Sequence, residues 1–131
     1  MYVFSESNEL HPIPQTYEIE ELDSFKKAMK RHGLTEEDLL ELKVELKRRK
    51  PEGSYGASLY KFRWCPKRFN LGAGEARVLY TEVLVADKAY LLTLYFKKDI
   101  KELPPKVIKE YKEAVKRLRN TISKQSNGGK R

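Results

Sequence analysis

Residues 75–98, EARVLYTEVLVADKAYLLTLYFKK, decide the fold that the sequence predicts. β-Branched and aromatic residues fill both halves of this stretch, a composition typical of β-strands. The polar pair Asp87-Lys88 separates the two halves and predicts a tight connection. We therefore expect a hairpin whose strands run over residues 75–86 and 89–98.

A further strand is predicted over residues 58–65, immediately upstream of a basic, glycine-containing loop. Its central run, SLYKFRW, alternates, so successive side chains point to opposite faces of the sheet. One face receives Leu59 with two cations, Lys61 and Arg63. The other face is aromatic and consists of Tyr60, Phe62 and Trp64.

Two helices are predicted upstream of these strands, after a short strand over residues 16–22. The first helix starts near Asp23 and stops before Gly33, which suits a residue just beyond a helix C-terminus. Thr35 is a good N-cap for the second helix, and Pro51 stops it. The residues expected to be buried by these helices are Phe25, Ala28, Met29, Leu39, Leu42, Val44 and Leu46.

A last helix begins at Pro104-Pro105 and gives the element order β–α–α–β–β–β–α. This order predicts an α+β domain, a small antiparallel β-sheet with two N-terminal helices packed on one face and a C-terminal helix. We expect the helices to cover one face and the other face to be accessible to solvent. The predicted domain spans 16–122, between an acidic extension, 1–15, and a disordered basic tail, 123–131.

The chain of 131 residues carries a net charge of +8 that is distributed unevenly. The first 25 residues contain six acids and no lysine or arginine, whereas residues 101–131 contain ten cations and three acids. A basic body favours a polyanionic partner such as nucleic acid. Charge that serves only to keep exposed helices in solution explains the composition equally well.

Several classes of protein are excluded by what the sequence lacks. No run approaches the roughly 18 apolar residues of a membrane span, and the N-terminus has no basic segment followed by an apolar one. We therefore expect a cytoplasmic protein. Two isolated histidines and one cysteine do not make a metal site, and no phosphate-binding loop or nucleophile motif occurs. No metal or cofactor is expected.

Cations gather on the predicted free face of the sheet if the strand registers coincide. Such groups bind phosphate oxygens, and an aromatic ring among them can stack on a base. They also suit metal-independent RNA cleavage, in which a lysine among cations acts as base and an arginine stabilises the transition state. The predicted catalytic residues are Lys61, Arg63, Arg77, Tyr95 and Lys97, and the predicted RNA-binding residues at the edges are Lys67, Arg68 and Lys98.

Three segments, in this order, resemble HigB/RelE-type toxins of bacterial type II toxin–antitoxin systems. The first, GLTEEDLLELKVELKRRKPEGSYGASLYKFRW, resembles the family's paired helix, its Pro-x-Gly turn and a strand with a basic-x-basic pattern. The second, GAGEARVLY, resembles its Gly-rich turn and the strand that follows. The third, AYLLTLYFKKDIKELPPKVIKEYKEAVKRLR, resembles its last strand and closing helix. The similarity extends from about Thr16 to Arg119.

The resemblance implies a microbial-ribonuclease-like fold and a ribosome-dependent mRNA endonuclease that cleaves in the A site and inhibits translation. It also implies a cognate antitoxin and no metal cofactor. By position, Lys61 and Arg63 match the basic pair of the first sheet strand, Arg77 matches the arginine of the next, and Lys97 and Lys98 match the basic end of the third. Some members carry a catalytic tyrosine after the third strand, where this chain has none, and Tyr95 is the substitute.

Two other functions fit the same residues. One is a non-catalytic RNA- or ribosome-binding protein of the same fold, which the missing tyrosine favours. The other is a prophage-encoded interaction domain whose charge only confers solubility. The toxin hypothesis predicts that Arg77→Ala abolishes activity without unfolding the protein.

Overall fold

The computed structural model describes residues 10–69 and 74–128, which form one five-stranded sheet and three helices. The strands are β1 (Glu18–Glu21), β2 (Gly53–Gly56), β3 (Leu59–Trp64), β4 (Ala76–Val83) and β5 (Lys88–Phe96). The helices are α1 (Asp23–Arg31), α2 (Glu36–Leu46) and α3 (Pro105–Gly128). The predicted α+β class is therefore confirmed.

The sheet is mixed, so the prediction of an antiparallel sheet is wrong at one edge. The strand order is β1-β5-β4-β3-β2. β1 pairs with β5 in parallel, while the other three pairings are antiparallel. α1 and α2 follow β1 directly, so β1 cannot form a hairpin with its sequence neighbour. It pairs instead with the strand that the packing of the helices places beside it.

β2 lies in a segment, 51–58, whose composition predicts only a turn. Ala57 and Ser58 connect β2 to β3 with φ angles of 56° and 64°. Two consecutive left-handed residues are the signature of a type I′ hairpin turn, which normally carries Asn-Gly. Because that dipeptide is absent, the sequence gives no sign of this hairpin.

The β4–β5 hairpin is confirmed, with shorter strands than predicted. The segment Leu84–Ala86 is a 3₁₀ turn rather than strand, and Asp87 follows it in the left-handed region. Leu79 lies opposite Thr93 whereas Tyr80 lies opposite Leu91, so Leu92 is an extra residue that forms a β-bulge. Simple alternation along this strand puts Leu91 on the face of Tyr95 and Leu92 on the opposite face, but the bulge reverses both: Leu91 packs towards α1 and α2, and Leu92 packs towards α3.

α1 and α2 follow the sequence prediction closely. Thr35 and Asp38 form a capping box, in which the Asp38 N–H donates to Thr35 Oγ1 over 3.1 Å and the Thr35 N–H donates to Asp38 Oδ2 over 2.8 Å. Gly33 adopts a φ of 68°, as expected of a residue that ends a helix. Val44, predicted to be buried, is exposed because it lies two positions after Leu42, about 200° around the helix.

Both faces of the sheet are covered, so the predicted solvent-accessible face is wrong. α1 and α2 pack on one face, against a cluster that includes Phe62, Val78 and Phe96. α3 packs on the opposite face, because the strands are apolar there too. The apolar cluster beneath α3 consists of Leu59, Leu79, Leu92, Tyr95, Leu103 and Val115.

The predicted boundaries of the domain differ from the packed unit at both ends. Ile13, assigned to the extension, is buried, and its N–H donates to the carbonyl of Leu46 at the end of α2. α3 continues to Gly128, past the predicted end of the domain at 122. Residues 1–9 of the predicted extension and 129–131 of the predicted tail lie outside the described residues.

Candidate functional site

The strand registers place four of the predicted catalytic residues on the face beneath α3. Arg63 of β3 lies opposite Arg77 of β4, which lies opposite Tyr95 of β5. Lys61 lies opposite Leu79 in the next row of the same face. The alternation in the sequence therefore predicted correctly that these four side chains share a face.

Arg77 is buried at the centre of this row, with 7% of its side chain exposed. Its Nε donates to Glu52 Oε1 over 2.7 Å, and its Nη2 donates to Glu52 Oε2 over 3.2 Å. Its Nη1 lies 3.4 Å from Glu75 Oε1. A guanidinium enclosed in this way fixes the two carboxylates in place and does not contact a molecule bound at the surface.

Lys61 lies between carboxylates rather than among cations. Its Nζ is 3.8 Å from Glu52 Oε1 and 3.7 Å from Glu102 Oε1. The ring of Tyr55 also lies 5.3 Å from this nitrogen. A lysine base needs neighbouring cations that disfavour its charged form, and these contacts are the reverse of that environment. Lys61 therefore suits the role of a proton donor or a phosphate-binding cation.

Arg63 is the accessible cation of the row, with 63% of its side chain exposed. Its Nε donates to Glu75 Oε2. Burial would raise the pKa of Glu75, but the hydrogen bond from Arg63 and the charges of Arg77 and Arg63 outweigh it and hold this pKa below its ordinary value. Glu75 is thus ionised at neutral pH and orients both arginines.

Tyr95, the predicted substitute for the family's catalytic tyrosine, belongs to the core beneath α3. Only 4% of the residue is exposed. Burial, together with the neighbouring phenol of Tyr55, raises the pKa of Tyr95 above its ordinary value. Its hydroxyl therefore stays protonated, and it is withdrawn from the surface where Arg63 is exposed.

Two predicted RNA-binding residues, Lys67 and Arg68, lie on the α2 side of the molecule. Arg68 donates from Nε to both carboxylate oxygens of Asp38 over 3.1 Å, and from Nη2 to the carbonyl of Gly33 over 2.9 Å. The hydrogen bonding from Arg68 to Asp38, followed by the hydrogen bonds between Asp38 and Thr35, holds the pKa of Asp38 below its ordinary value although burial opposes it. Arg68 therefore fastens the loop after β3 to the start of α2.

The side chain of Lys67 is exposed, and the backbone N–H of this residue donates to Glu41 Oε2 over 2.9 Å. The last two predicted cations, Lys97 and Lys98, follow β5. The N–H of Lys97 donates to the carbonyl of Glu75 over 2.9 Å, which holds Lys97 beside the Arg63–Arg77 row. Lys98 is exposed. The structure tests no role of these four cations, so the RNA-binding role of Lys67, Arg68 and Lys98 and the catalytic role of Lys97 stay predictions.

Three carboxylates within the site were missed by reading the sequence, namely those of Glu52, Glu75 and Glu102. Glu75 precedes Arg77 by two positions, so strand alternation was a usable signal for it. Glu52 lies in the segment read as a turn, and its N–H donates to the carbonyl of Lys61 over 2.7 Å. With three acids beside Lys61, Arg63 and Arg77, the site is charge-balanced rather than strongly basic.

Within residues 10–69 and 74–128, no three His, Cys, Asp or Glu side chains are grouped closely enough to hold a metal ion. In the same described part of the chain, no helix has the length and apolar character needed to cross a membrane. The sequence matches no protein-family model and no curated protein.

Proposed function

We propose that this protein is the toxin of a type II toxin–antitoxin pair and that it cleaves mRNA on the ribosome in the cytoplasm. The observation that supports this most is the row Arg63–Arg77–Tyr95, beside which Lys61 and Glu52 lie 3.8 Å apart. An exposed arginine, an ammonium group and a carboxylate are the groups that a metal-independent attack by a 2′-hydroxyl requires. The ribosome, its mRNA and a cognate antitoxin are the proposed partners.

In this proposal Glu52, not a lysine, acts as the base. Its side chain is 36% exposed, and its carboxylate is held by Arg77. In the proposed reaction Glu52 takes the proton of the 2′-hydroxyl, and the resulting oxygen attacks the adjacent phosphorus. Arg63 stabilises the charge on the pentavalent phosphorus, and the Lys61 ammonium gives a proton to the departing 5′-oxygen. The products are a 2′,3′-cyclic phosphate and a 5′-hydroxyl.

Purified protein added to a bacterial translation extract tests this proposal, with mRNA 5′ ends mapped by primer extension and free mRNA as a control. We expect cuts within codons that require ribosomes. Loss of a base or of the exposed cation slows such a step by about 100-fold or more, so Glu52→Gln and Arg63→Ala should each abolish cleavage. Glu102→Gln is the matched control, because Glu102 also lies beside Lys61 but is 68% exposed; it should retain cleavage.

A non-catalytic RNA- or ribosome-binding protein is the second candidate. The burial of Tyr95 and the enclosure of Arg77 by Glu52 and Glu75 favour it, since neither side chain reaches the surface. In the same experiment this function predicts that translation stops while the mRNA stays intact, and that binding weakens with salt. Folded protein that affects neither translation nor mRNA would contradict both proposals and leave the interaction-domain hypothesis.

A further inference from the structure

The end of α2 carries an excess of positive charge that the candidate site lacks. Residues 45–50, ELKRRK, contain four cations and one acid, a net charge of +3. In the site, three carboxylates balance Lys61, Arg63 and Arg77. The affinity of a protein for RNA rises with the number of phosphates that its cations neutralise. A charge-balanced site supplies little of this affinity, so cations that adjoin the site have to supply it.

Arg49 joins the end of α2 to the candidate site. Its Nη2 donates to the carbonyl of Arg63 over 3.2 Å, and its Nε donates to Glu45 Oε1 over 2.8 Å. Its guanidinium also lies 4.5 Å from the centre of the Phe62 ring. These contacts fix the guanidinium while its Nη1 donates to no residue that the structure describes. Arg49 therefore has donors available for a ligand at a fixed position.

Three exposed arginines follow one another from the site to the end of α2. Arg63, Arg49 and Arg48 have 63%, 46% and 69% of their side chains exposed. Arg49 and Arg48 share one carboxylate, that of Glu45, at 2.8 and 3.9 Å. Glu45 is 24% exposed, so it lies deeper than either arginine. These three side chains form an arginine track whose guanidiniums are more exposed than the carboxylates that they contact.

Simpler reasons for cations at this place explain only part of the arrangement. A helix C-terminus favours positive charge, and exposed charge keeps a protein in solution. A lysine would serve either purpose. A planar guanidinium that is held by a carboxylate and an aromatic ring instead presents an ordered set of donors, which suits a phosphate.

We infer that the arginine track binds the phosphates that neighbour the scissile phosphate on the same RNA strand. This inference rests on the proposed function, which places the scissile phosphate at Arg63. Arg49 binds the next phosphate along the strand, and Arg48 binds the one beyond it. The two arginines take no part in the chemical step, and they supply the affinity that the charge-balanced site lacks.

Equilibrium binding of a single-stranded RNA tests the inference without relying on cleavage. The probe is a fluorescent 12-nucleotide RNA whose 2′-hydroxyls are all methylated, so it has no nucleophile. In fluorescence anisotropy, the double variant Arg48→Gln/Arg49→Gln should bind this probe about tenfold more weakly than the unchanged protein. The slope of log affinity against log salt should fall by about 1.4, since each phosphate contact with a single strand contributes about 0.7.

The matched control is Lys26→Gln/Lys27→Gln, which removes the same charge from exposed positions of α1. This helix packs against β5 rather than beside Arg63. The control should bind the probe within about twofold of the unchanged protein, because these lysines lie off the track. Arg48→Gln alone covers the case in which loss of Arg49 disturbs Phe62, and it should lower the salt slope by about 0.7. Circular dichroism checks that each variant is folded.

The outcomes separate this inference from the proposed function. Normal binding by a folded Arg48→Gln/Arg49→Gln variant would overturn the inference, even if the unchanged protein cleaves mRNA in the translation extract. Weaker binding with a smaller salt slope would support the track, even if no cleavage occurs. Equal losses in the variant and in the α1 control would show that net charge, not the track, binds RNA. A 12-base-pair RNA duplex that binds more tightly than the single strand, and loses affinity in the variant, would identify helical RNA as the ligand and overturn the inference.

Discussion

The two faces of the sheet are built from the same strands but are stabilised in different ways. The face towards α1 and α2 is a continuous apolar cluster in which aromatic rings such as Phe62 and Phe96 fill the space beneath the helices. The face towards α3 has a smaller apolar cluster and shares its surface with the buried Arg77 and its carboxylate partners. The stability of the first face depends on how well apolar side chains fill the space beneath the helices. The stability of the second face depends also on charges that must stay paired.

The largest effect is expected on the apolar face, from Leu42→Ala. Leu42 is fully buried beneath α2, and removal of its side chain leaves a cavity. We expect the free energy of unfolding to fall by about 2–5 kcal/mol, as measured by urea denaturation. Leu40→Ala, two positions earlier on the same helix and exposed, should change it by no more than about 0.5 kcal/mol. Equal losses of unfolding free energy in Leu42→Ala and Leu40→Ala would mean that the filling of space beneath α2 does not set the stability of this face.

On the other face, Arg77→Ala should lower the free energy of unfolding by about 3 kcal/mol. The substitution leaves Glu52 and Glu75 beside each other without the guanidinium that fixes them. Arg63→Ala, which removes an exposed cation from the same row, should cost less than about 1 kcal/mol. Denaturation of the two variants side by side measures the difference.

This expectation replaces the one drawn from the sequence, in which Arg77→Ala left the fold intact. Arg77 donates two hydrogen bonds to Glu52, and in the proposed reaction it acts only by holding this carboxylate in place. If Arg77→Ala is as stable as the unchanged protein but inactive in the translation extract, the positioning role is wrong and Arg77 contacts RNA directly.

A smaller, pH-dependent effect is expected at Glu82, whose carboxyl is buried near the end of β4. Burial raises the pKa of Glu82, although the nearby His11, 3.9 Å away, opposes this. A folded-state pKa above the unfolded value of about 4.3 means that the protein loses stability as the pH rises through the folded pKa. Glu82→Gln should therefore be more stable than the unchanged protein at pH 7.

The stability advantage of Glu82→Gln should disappear as the pH is lowered to about 4, where both proteins are uncharged at this position. Urea denaturation from pH 4 to pH 8 measures it. An advantage of Glu82→Gln that is the same at every pH would show that the carboxyl's ionisation is not its cause.

The smallest effect is expected in the turn between β2 and β3, beside the charged network. Ala57 has a φ of 56°, which is unfavourable for a residue with a Cβ atom. Ala57→Gly should raise the free energy of unfolding by about 1 kcal/mol, less the entropy that glycine loses on folding. The thermal unfolding midpoint measures this, and a lower midpoint would show that the turn is not strained.

The parts of this fold that the sequence predicts are those set by local rules. The capping box at Thr35 and the alternation of Lys61 and Arg63 each depend on neighbours within a few positions. The bulge at Leu92 is invisible because the run AYLLTLY is apolar in either register. The sequence also does not show that α3 covers the second face of the sheet, since the apolar stripe of this helix fits either side of the sheet.

In the candidate site, too, the sequence predicted what local rules set and missed what distant contacts set. Strand alternation predicted which cations share a face, but the carboxylate of Glu52 reaches Arg77 across 25 positions of sequence. Only the tertiary fold brings the two together. A list of cations therefore overstated the positive charge of the site and left out the residue now proposed as its base.

The parallel pairing of β1 with β5 has a consequence for synthesis of the chain. The ion pair between Glu20 and Lys88 spans 68 positions, so the first strand is made long before its only partner among the described strands. Contacts between distant segments form late, because a long loop must close first. Closure of the sheet at β1 is therefore a late step of folding, and a nascent chain that ends before Lys88 lacks the strand with which β1 pairs.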